Sequence, residues 1–204
     1  MKERKPTPPR FTFDEGYYRK YYEDPRTRVT DPSGRAPLAD FLFAYLRYLR
    51  IPVRRVLDLG CGIGLWRQEV LRHHPAARYT GVEKSEYACR KYGWKQGCVT
   101  TYRSRTPFDL VLCHDVVQYL TDAEAEAALS NLALLTRSAL HLEILTAEDW
   151  ENNCDQTVTD GKVYLRSAAW YRQRLKGDFL ACGGGLFLVK DRAPVLYEFE
   201  YLPM

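Results

Sequence analysis

No apolar run in this 204-residue chain approaches the length of a membrane span. Residues 1–10 hold three prolines and five charges where a secretory leader would need an apolar core, and they are expected to be loosely attached. The six cysteines are scattered with no C-x-x-C spacing, and no His/Cys/Asp cluster has metal-ligand spacing. Neither a disulfide framework nor a bound metal is therefore expected; reduced thiols in a cytoplasmic protein are, several of them serving as small hydrophobes. A large excess of one charge is also missing. The formal net charge is +4, and the first 35 residues, with nine Lys/Arg against six Asp/Glu, hold +3 of it. That is a basic arm on a near-neutral body, which excludes a basic domain built to grip nucleic acid. There is no internal repeat, and the length fits one domain with a single sizeable core.

What is present is a stretch at residues 56–66 reading V-L-D-L-G-C-G-I-G-L-W. Val56, Leu57 and Leu59 flank one acid, Asp58, and glycine then falls at 60, 62 and 64. A short apolar run ending in glycines reads as a buried parallel strand entering a tight turn. Glycine accepts positive φ and lets a ligand lie against the main chain. Residues 65–74 have helical spacing, so the turn ends at a helix N-terminus, which favours polar or anionic ligand groups. A dinucleotide site would need G-x-G-x-x-G, but Leu65 stands where its third glycine belongs.

Taken in order, residues 11–24 place Tyr17, Tyr18, Tyr21 and Tyr22 on one aromatic face of a helix. That face either packs on the core or forms a lid over a ligand. Asp31-Pro32-Ser33-Gly34 reads as a turn, and a helix from Pro37 to about Arg50 presents Leu38, Phe41, Leu42, Tyr45 and Leu49. A second strand covers 78–83 and ends on Glu83; Ser85 caps the next helix and Gly93 ends it. A third strand lies within 96–102, ending early near Gln96 or followed by a crossover reduced to a turn. Residues 108–113 are a fourth strand, Thr121 and Glu124 form a capping box, and 139–145 are a fifth strand. Ser167 caps a helix through Leu175, and 179–190 pairs with 195–202 as a terminal hairpin.

The spacing D-x-G-x-G-x-G, with Glu83 closing the following strand, resembles motif I and its acid in class I S-adenosylmethionine-dependent methyltransferases. The string C-H-D-V-V-Q-Y-L at 113–120 is similar to the C-x-E-x-L-E-H-V of ubiquinone-biosynthesis O-methyltransferases, with Gln118 and Tyr119 in place of Glu-His. The resemblance covers about residues 36–202. It implies an α/β, Rossmann-like sheet of about seven strands, the last antiparallel, under an N-terminal helical cover. The division expected is an arm and lid over 1–35 and a methyltransferase domain over 36–204.

It also implies S-adenosyl-L-methionine as cofactor. Asp58 and Gly60 would hold the methionine amino group, Gly62 would give it room, and Glu83 would accept from the ribose hydroxyls. Lys84 would cover the adenine, with Cys98 near its amino group. Tyr21 from the cover, and Cys61 and Cys113 beside the strand ends, complete the expected contacts. Should the nucleophile arrive protonated, His114 and Asp115, directly after the fourth strand, are the candidate bases. Glu143 needs a partner in mid-strand, for which Arg166 is available. Thr146, Asp149 and Trp150 are placed to line the substrate side. His73 and His74 read as dipole partners at a helix end. The expected activity is methyl transfer to an O or N nucleophile of a small molecule, with no membrane partner and no nucleic acid; the oligomeric state is left open. The alternatives are an RNA or protein methyltransferase, weakly favoured by the basic, tyrosine-bearing arm, and a non-catalytic cofactor-binding protein of the same fold.

Overall fold

The computed structural model describes residues 12–29 and 32–204; the expectation for residues 1–10, and the Asp31 part of the first turn, fall outside them. Seven strands form one sheet: β1 (Arg55–Leu59), β2 (Arg78–Glu83), β3 (Lys95–Gln96), β4 (Phe108–His114), β5 (Thr136–Glu143), β6 (Phe179–Ala181) and β7 (Leu186–Val189). Their order is β3-β2-β1-β4-β5-β7-β6. The first five run parallel, and β7 is antiparallel to both β5 and β6. The expected sheet of seven strands with an antiparallel end is therefore present.

Alternation along the central strands builds two cores, one on each face. Val56, Leu110, Leu112 and Ala139 meet α2 (Pro32–Tyr48) and α3 (Leu65–His73) through Leu42, Phe43, Leu46, Trp66 and Val70. Leu57, Leu59, Val111 and Leu140 meet α5 (Asp122–Leu135) and α7 (Ala168–Leu175) through Ala128, Leu129, Leu132, Tyr171 and Leu175. Each fully buried leucine contributes about 1.5–3 kcal/mol relative to exposure, so the sheet is held from both sides. The chain goes one way from β1 to β3 and the other way from β4 to β7. The reversal opens a crevice between β1 and β4 beyond their carboxyl ends, where ligands of open parallel sheets bind.

Above that crevice lies the N-terminal cover. It is α1 (Glu15–Tyr18) continued by one π-helical stretch, Arg19–Glu23. Asp14 caps it by accepting from Tyr17 N at 3.0 Å. Several contacts dock it on α4 (Glu86–Tyr92): Ser85 Oγ, at that helix's N-cap, donates to Phe13 O at 2.5 Å, Lys91 pairs with Glu23 at 2.6 Å, and Tyr92 OH donates to Glu23 at 3.0 Å.

The structure moves some of the expected boundaries and decides between others. The helix placed at Pro37–Arg50 begins at Pro32, which takes the first helical position and absorbs the predicted turn. The third strand ends at Gln96, the first of the two alternatives. Tyr102 N donates to Cys98 O in a turn, and Asn131 Nδ2 from α5 donates to Val99 O and Tyr102 O, so the loop needs no crossover helix. The terminal hairpin lies wholly within β6 and β7, because Gly183, Gly184 and Gly185 all take positive φ and reverse the chain there. Residues 195–202 add one isolated bridge, from Leu202 to Ala181. An unpredicted short helix, α6 (Ala147–Asn152), follows β5 on a capping box of Thr146 and Asp149. Among the described residues no helix is long and apolar enough to cross a membrane.

Candidate functional site

At the end of β1 the chain turns through Gly60 (φ 80°), Gly62 (φ 52°) and Gly64 (φ 84°). Gly60 N donates to Val82 O at 2.8 Å, which ties the turn to β2. Glu83, only 6% exposed, organises the rest. Its Oε2 accepts from Gly62 N at 3.0 Å, and its Oε1 from Lys84 N and Ser85 N at 2.8 and 2.9 Å. Trp94 Nε1 donates to Gly62 O at 2.8 Å from the other side.

Together these groups border a cavity of about 470 Å³. Gly60, Gly62, Glu83, Lys84 and Cys98 form one side, and Tyr17, Tyr18 and Tyr22 of the cover close it. His114 and Asp115 lie at its far end. Seven of the residues singled out from the sequence are thus brought to one cavity.

The other four are placed elsewhere. Tyr21 lines a second cavity. Asp58 is 2% exposed and faces away, accepting from Tyr79 OH at 2.5 Å. Burial raises its pKa to about 6 against the pull of Tyr79 and His114. Cys61 is buried beside Gly81, and Cys113 is wholly buried in the core that meets α5. Burial pushes both thiols far up, so they remain protonated. Period-two alternation accounts for Asp58 and Cys113: each is a strand residue whose side chain is committed to a sheet face, not to the strand end.

The second cavity, of about 660 Å³, adjoins the first. Tyr17, Tyr22, Asp115 and Tyr119 line both. Asp115 holds a left-handed conformation (φ 56°), which Asp tolerates better than most residues. Its N–H donates to Glu143 O and Gln118 Nε2 donates to its Oδ1. The residue keeps accessible surface and borders both cavities, while the protein packed around its carboxyl and the Glu143 charge raise its pKa. Tyr17 and Tyr119 hydroxyls lie 3.1 Å apart, and burial keeps both phenols protonated.

Between the cavities and the sheet runs a buried polar chain. His141 Nε2 lies 2.9 Å from Gly184 O, a carbonyl that can only accept, so this nitrogen carries a proton. Burial, aided by the neighbouring His114, lowers the His141 pKa to about 3, leaving the ring neutral. Its Nδ1 therefore accepts, and His114 Nε2 at 2.7 Å donates. His114 Nδ1 is surrounded by Trp66 Nε1 and Arg35 Nη1, each at 3.0 Å, and by Glu143 Oε2 at 2.6 Å. Both nitrogens of His114 are engaged within the protein. Arg35 also binds Glu143 at 2.7 Å. Burial would raise the Glu143 pKa, but His114 and Arg35 outweigh it and hold this carboxyl far below its usual range. Arg166, expected as the partner of Glu143, instead pairs with Asp122 and donates to Leu120 O. Of the substrate-side candidates, Asp149 lines the second cavity, while Trp150 packs over Gly161.

Sequence reasoning missed Arg35, His141 and Asp160. Arg35 had been assigned to the arm; its position one helical turn inside α2 carries the signal. His141 is a lone polar residue in an apolar strand, the pattern of a buried group that needs partners. Among the described residues no group of three His, Cys, Asp or Glu side chains could hold a metal ion.

Residues 57–138 match a family described as "Methyltransferase domain". The malonyl-[acyl-carrier protein] O-methyltransferase of Legionella pneumophila is 36% identical over 89 residues, 38% of this chain and 31% of that protein. The trans-aconitate 2-methyltransferase of an Azoarcus species is 27% identical over 118 residues, 54% of this chain and 42% of that one. The chain thus spans less than half the length of these curated relatives. Among solved structures, S-adenosylmethionine-bound CalS10, an amino pentose methyltransferase from Micromonospora echinaspora, shares the fold. It has a TM-score of 0.59 at 18% identity, over 80% of this chain and 92% of that one.

Proposed function

We propose, from the match of residues 57–138 to a methyltransferase-domain family and a sheet order like that of class I methyltransferases, that this protein transfers a methyl group from S-adenosyl-L-methionine to an O or N nucleophile of a small molecule. The observation that carries this reading is the pair of cavities, about 470 and 660 Å³, that meet at Tyr17, Tyr22, Asp115 and Tyr119. One compartment suits a nucleoside-bearing donor and the other an acceptor, and they share a wall where a group can pass between them.

The residues of the first cavity fit the donor. Glu83 is a carboxylate at a strand end whose Oε1 already accepts two backbone N–H groups while Oε2 accepts one and keeps acceptor capacity, which suits a ribose hydroxyl. Gly62 has nothing nearer to a hypothetical Cβ than a Tyr18 ring carbon at 3.9 Å, so a ligand can approach the main chain there. Lys84, Cys98 and Val99 offer stem and apolar surface for a base. The donor supplies an electrophilic methyl group on a sulfonium. The protein's part is to hold the nucleophile in line and to exclude water, which can account for much of the rate. Tyr17, Tyr18 and Tyr22 perform the exclusion. Asp115, facing both cavities, is the group placed to accept a proton, while His114 positions Glu143, Trp66 and Arg35 around it.

The relatives' names give acids as acceptors for two of them and an amino sugar for the third, so the charge of the second cavity is the discriminating feature. The six cysteines are all unpaired, which fits a reducing cytoplasmic compartment. Isothermal calorimetry of the full chain with S-adenosylhomocysteine tests the reading. Saturable one-to-one binding, with NAD bound far more weakly, is expected. Preferential binding of NAD overturns it.

A further inference from the structure

The charges around the second cavity are lopsided. Four carboxylates line it, Asp115, Glu143, Asp149 and Asp160, against one cation, Arg35. Arg35 is already committed, to Glu143 at 2.7 Å and to His114 at 3.0 Å. Burial would raise the Asp149 pKa, but hydrogen bonds from Thr146 and Asn153 more than offset it, so this residue is ionised at neutral pH. An anionic acceptor would enter a region of uncompensated negative potential; a cationic one would be drawn in.

A second feature is independent of charge. Gln118 is 3% exposed, lines the cavity, and has no hydrogen-bond partner at Oε1 among the described residues. Its amide cannot simply be reversed, because Nε2 is fixed as the donor to the Asp115 carboxylate at 3.2 Å. A buried acceptor without a donor costs about 1–3 kcal/mol. It lies beside Asp115, whose Oδ2 also lacks a donor among the described residues. The wall between the cavities therefore presents two adjacent acceptors, and among the described residues lining the second cavity Arg35 is the one side-chain cation. Around them stand Tyr17, Tyr21 and Tyr22, with ring centroids of Tyr17 5.0 Å from Tyr21 and 6.1 Å from Tyr22. Protonated phenol rings have electron-rich faces that attract ammonium groups.

We propose that the methyl acceptor is an aliphatic amine, bound as its ammonium ion between Asp115, Gln118 and the tyrosines of the cover. This rests on the methyltransferase reading and narrows it to N-methylation. Asp115 takes one proton from the ammonium. The nitrogen lone pair so freed forms the N–C bond as the sulfonium C–S bond breaks and its electron pair returns to sulfur. The positive charge passes from sulfur to the methylated nitrogen, so charge and electrons balance. Because Asp115 lines both cavities, the proton acceptor stands at the wall across which the methyl moves. Burial, which raises the Asp115 pKa, makes it the better proton acceptor.

The test uses the full chain with S-adenosylhomocysteine present and three matched probe pairs: phenethylamine with phenethyl alcohol, glucosamine with glucose, and 1,6-hexanediamine with 1,6-hexanediol. Phenylacetate serves as the anionic control. At least one amine should bind about tenfold or more tightly than its hydroxyl partner, and mass spectrometry with S-adenosylmethionine should place one methyl on its nitrogen. Asp115→Asn, which the left-handed backbone accepts, should remove that preference. Asp160→Asn, away from the strained turn, should reduce it and remains informative if the first variant does not fold. No amine preference in any pair, tighter binding of phenylacetate, or a preference that survives both substitutions overturns the proposal. Failure of the wild-type chain to bind S-adenosylhomocysteine would instead overturn the methyltransferase reading beneath it.

Discussion

Glu83→Gln separates the two tasks of one carboxylate. Glu83 accepts three backbone N–H groups at 2.8–3.0 Å, and it is nearly fully buried. Gln can keep its oxygen toward Lys84 N and Ser85 N, but its amide nitrogen then faces Gly62 N–H, donor against donor. The lost charge-assisted bond, with the stranded Gly62 N–H, costs about 2–3 kcal/mol. For a chain of this size that lowers Tm by roughly 5–10 °C. The same change turns Oε2, the oxygen with acceptor capacity left for a ribose hydroxyl, into a donor and frees the glycine turn, so S-adenosylhomocysteine affinity should fall about tenfold or more. Both are measured, Tm by calorimetric scanning and Kd by titration well below the variant's Tm. Tyr79→Phe is the control: it deletes the hydroxyl that donates to buried Asp58 and touches neither cavity. It should lower Tm while leaving Kd within about twofold, well under the 1.4 kcal/mol of a tenfold change. Unchanged affinity in Glu83→Gln refutes the assignment of this carboxylate to the ligand. An equal loss of affinity in Tyr79→Phe shows that the effect is general loosening.

Three further outcomes are expected. Asp58 has a folded-state pKa of about 6 against an ordinary 3.8, so its contribution is fully present below about pH 4 and lost as pH rises through 6; Asp58→Asn should match wild type near pH 4 and exceed it by about 3 kcal/mol above pH 7 in urea unfolding, and an unchanged pH profile refutes the buried-acid account. Gly60→Ala should destabilise by about 1–3 kcal/mol, because φ is 80° and a Cβ collides with Val116 Cγ2; Val116→Ala in the double mutant should recover the steric part, and additivity of the two losses would show that the collision is not the cause. Deleting residues 1–28 removes the tyrosines that close the first cavity and should weaken S-adenosylhomocysteine binding by about tenfold, equally at low and moderate salt; normal cofactor binding with a strongly salt-dependent loss of RNA affinity would favour a polymer substrate.

The sequence by itself determined the sheet and the side of the crevice built from the glycine turn and Glu83. Apolar runs at β1, β4 and β5 are long enough and continuous enough to mark strands buried on both faces. Glycines 60 and 62 and the acid at 83 lie at strand ends, so their positions in space follow from their positions in the chain. The capping residues Ser85, Thr121 and Ser167 act within a few residues of themselves and were legible for the same reason. Partners far apart in sequence were not. Glu143 had Arg166 as its expected counter-ion, but Arg35, 108 residues away, reaches it because α2 packs across the sheet beside β5. His114 looked like a base from its place after β4; the tertiary structure surrounds both of its nitrogens with Trp66, Arg35, Glu143 and His141 and leaves Asp115 facing the cavities. Cys113 and Asp58 stand at the right end of the right strands, yet strand pleating turns them into the sheet faces. The charge of the second cavity is likewise a tertiary property, since Asp115, Glu143, Asp149 and Asp160 come from four separate segments whose convergence no local pattern encodes.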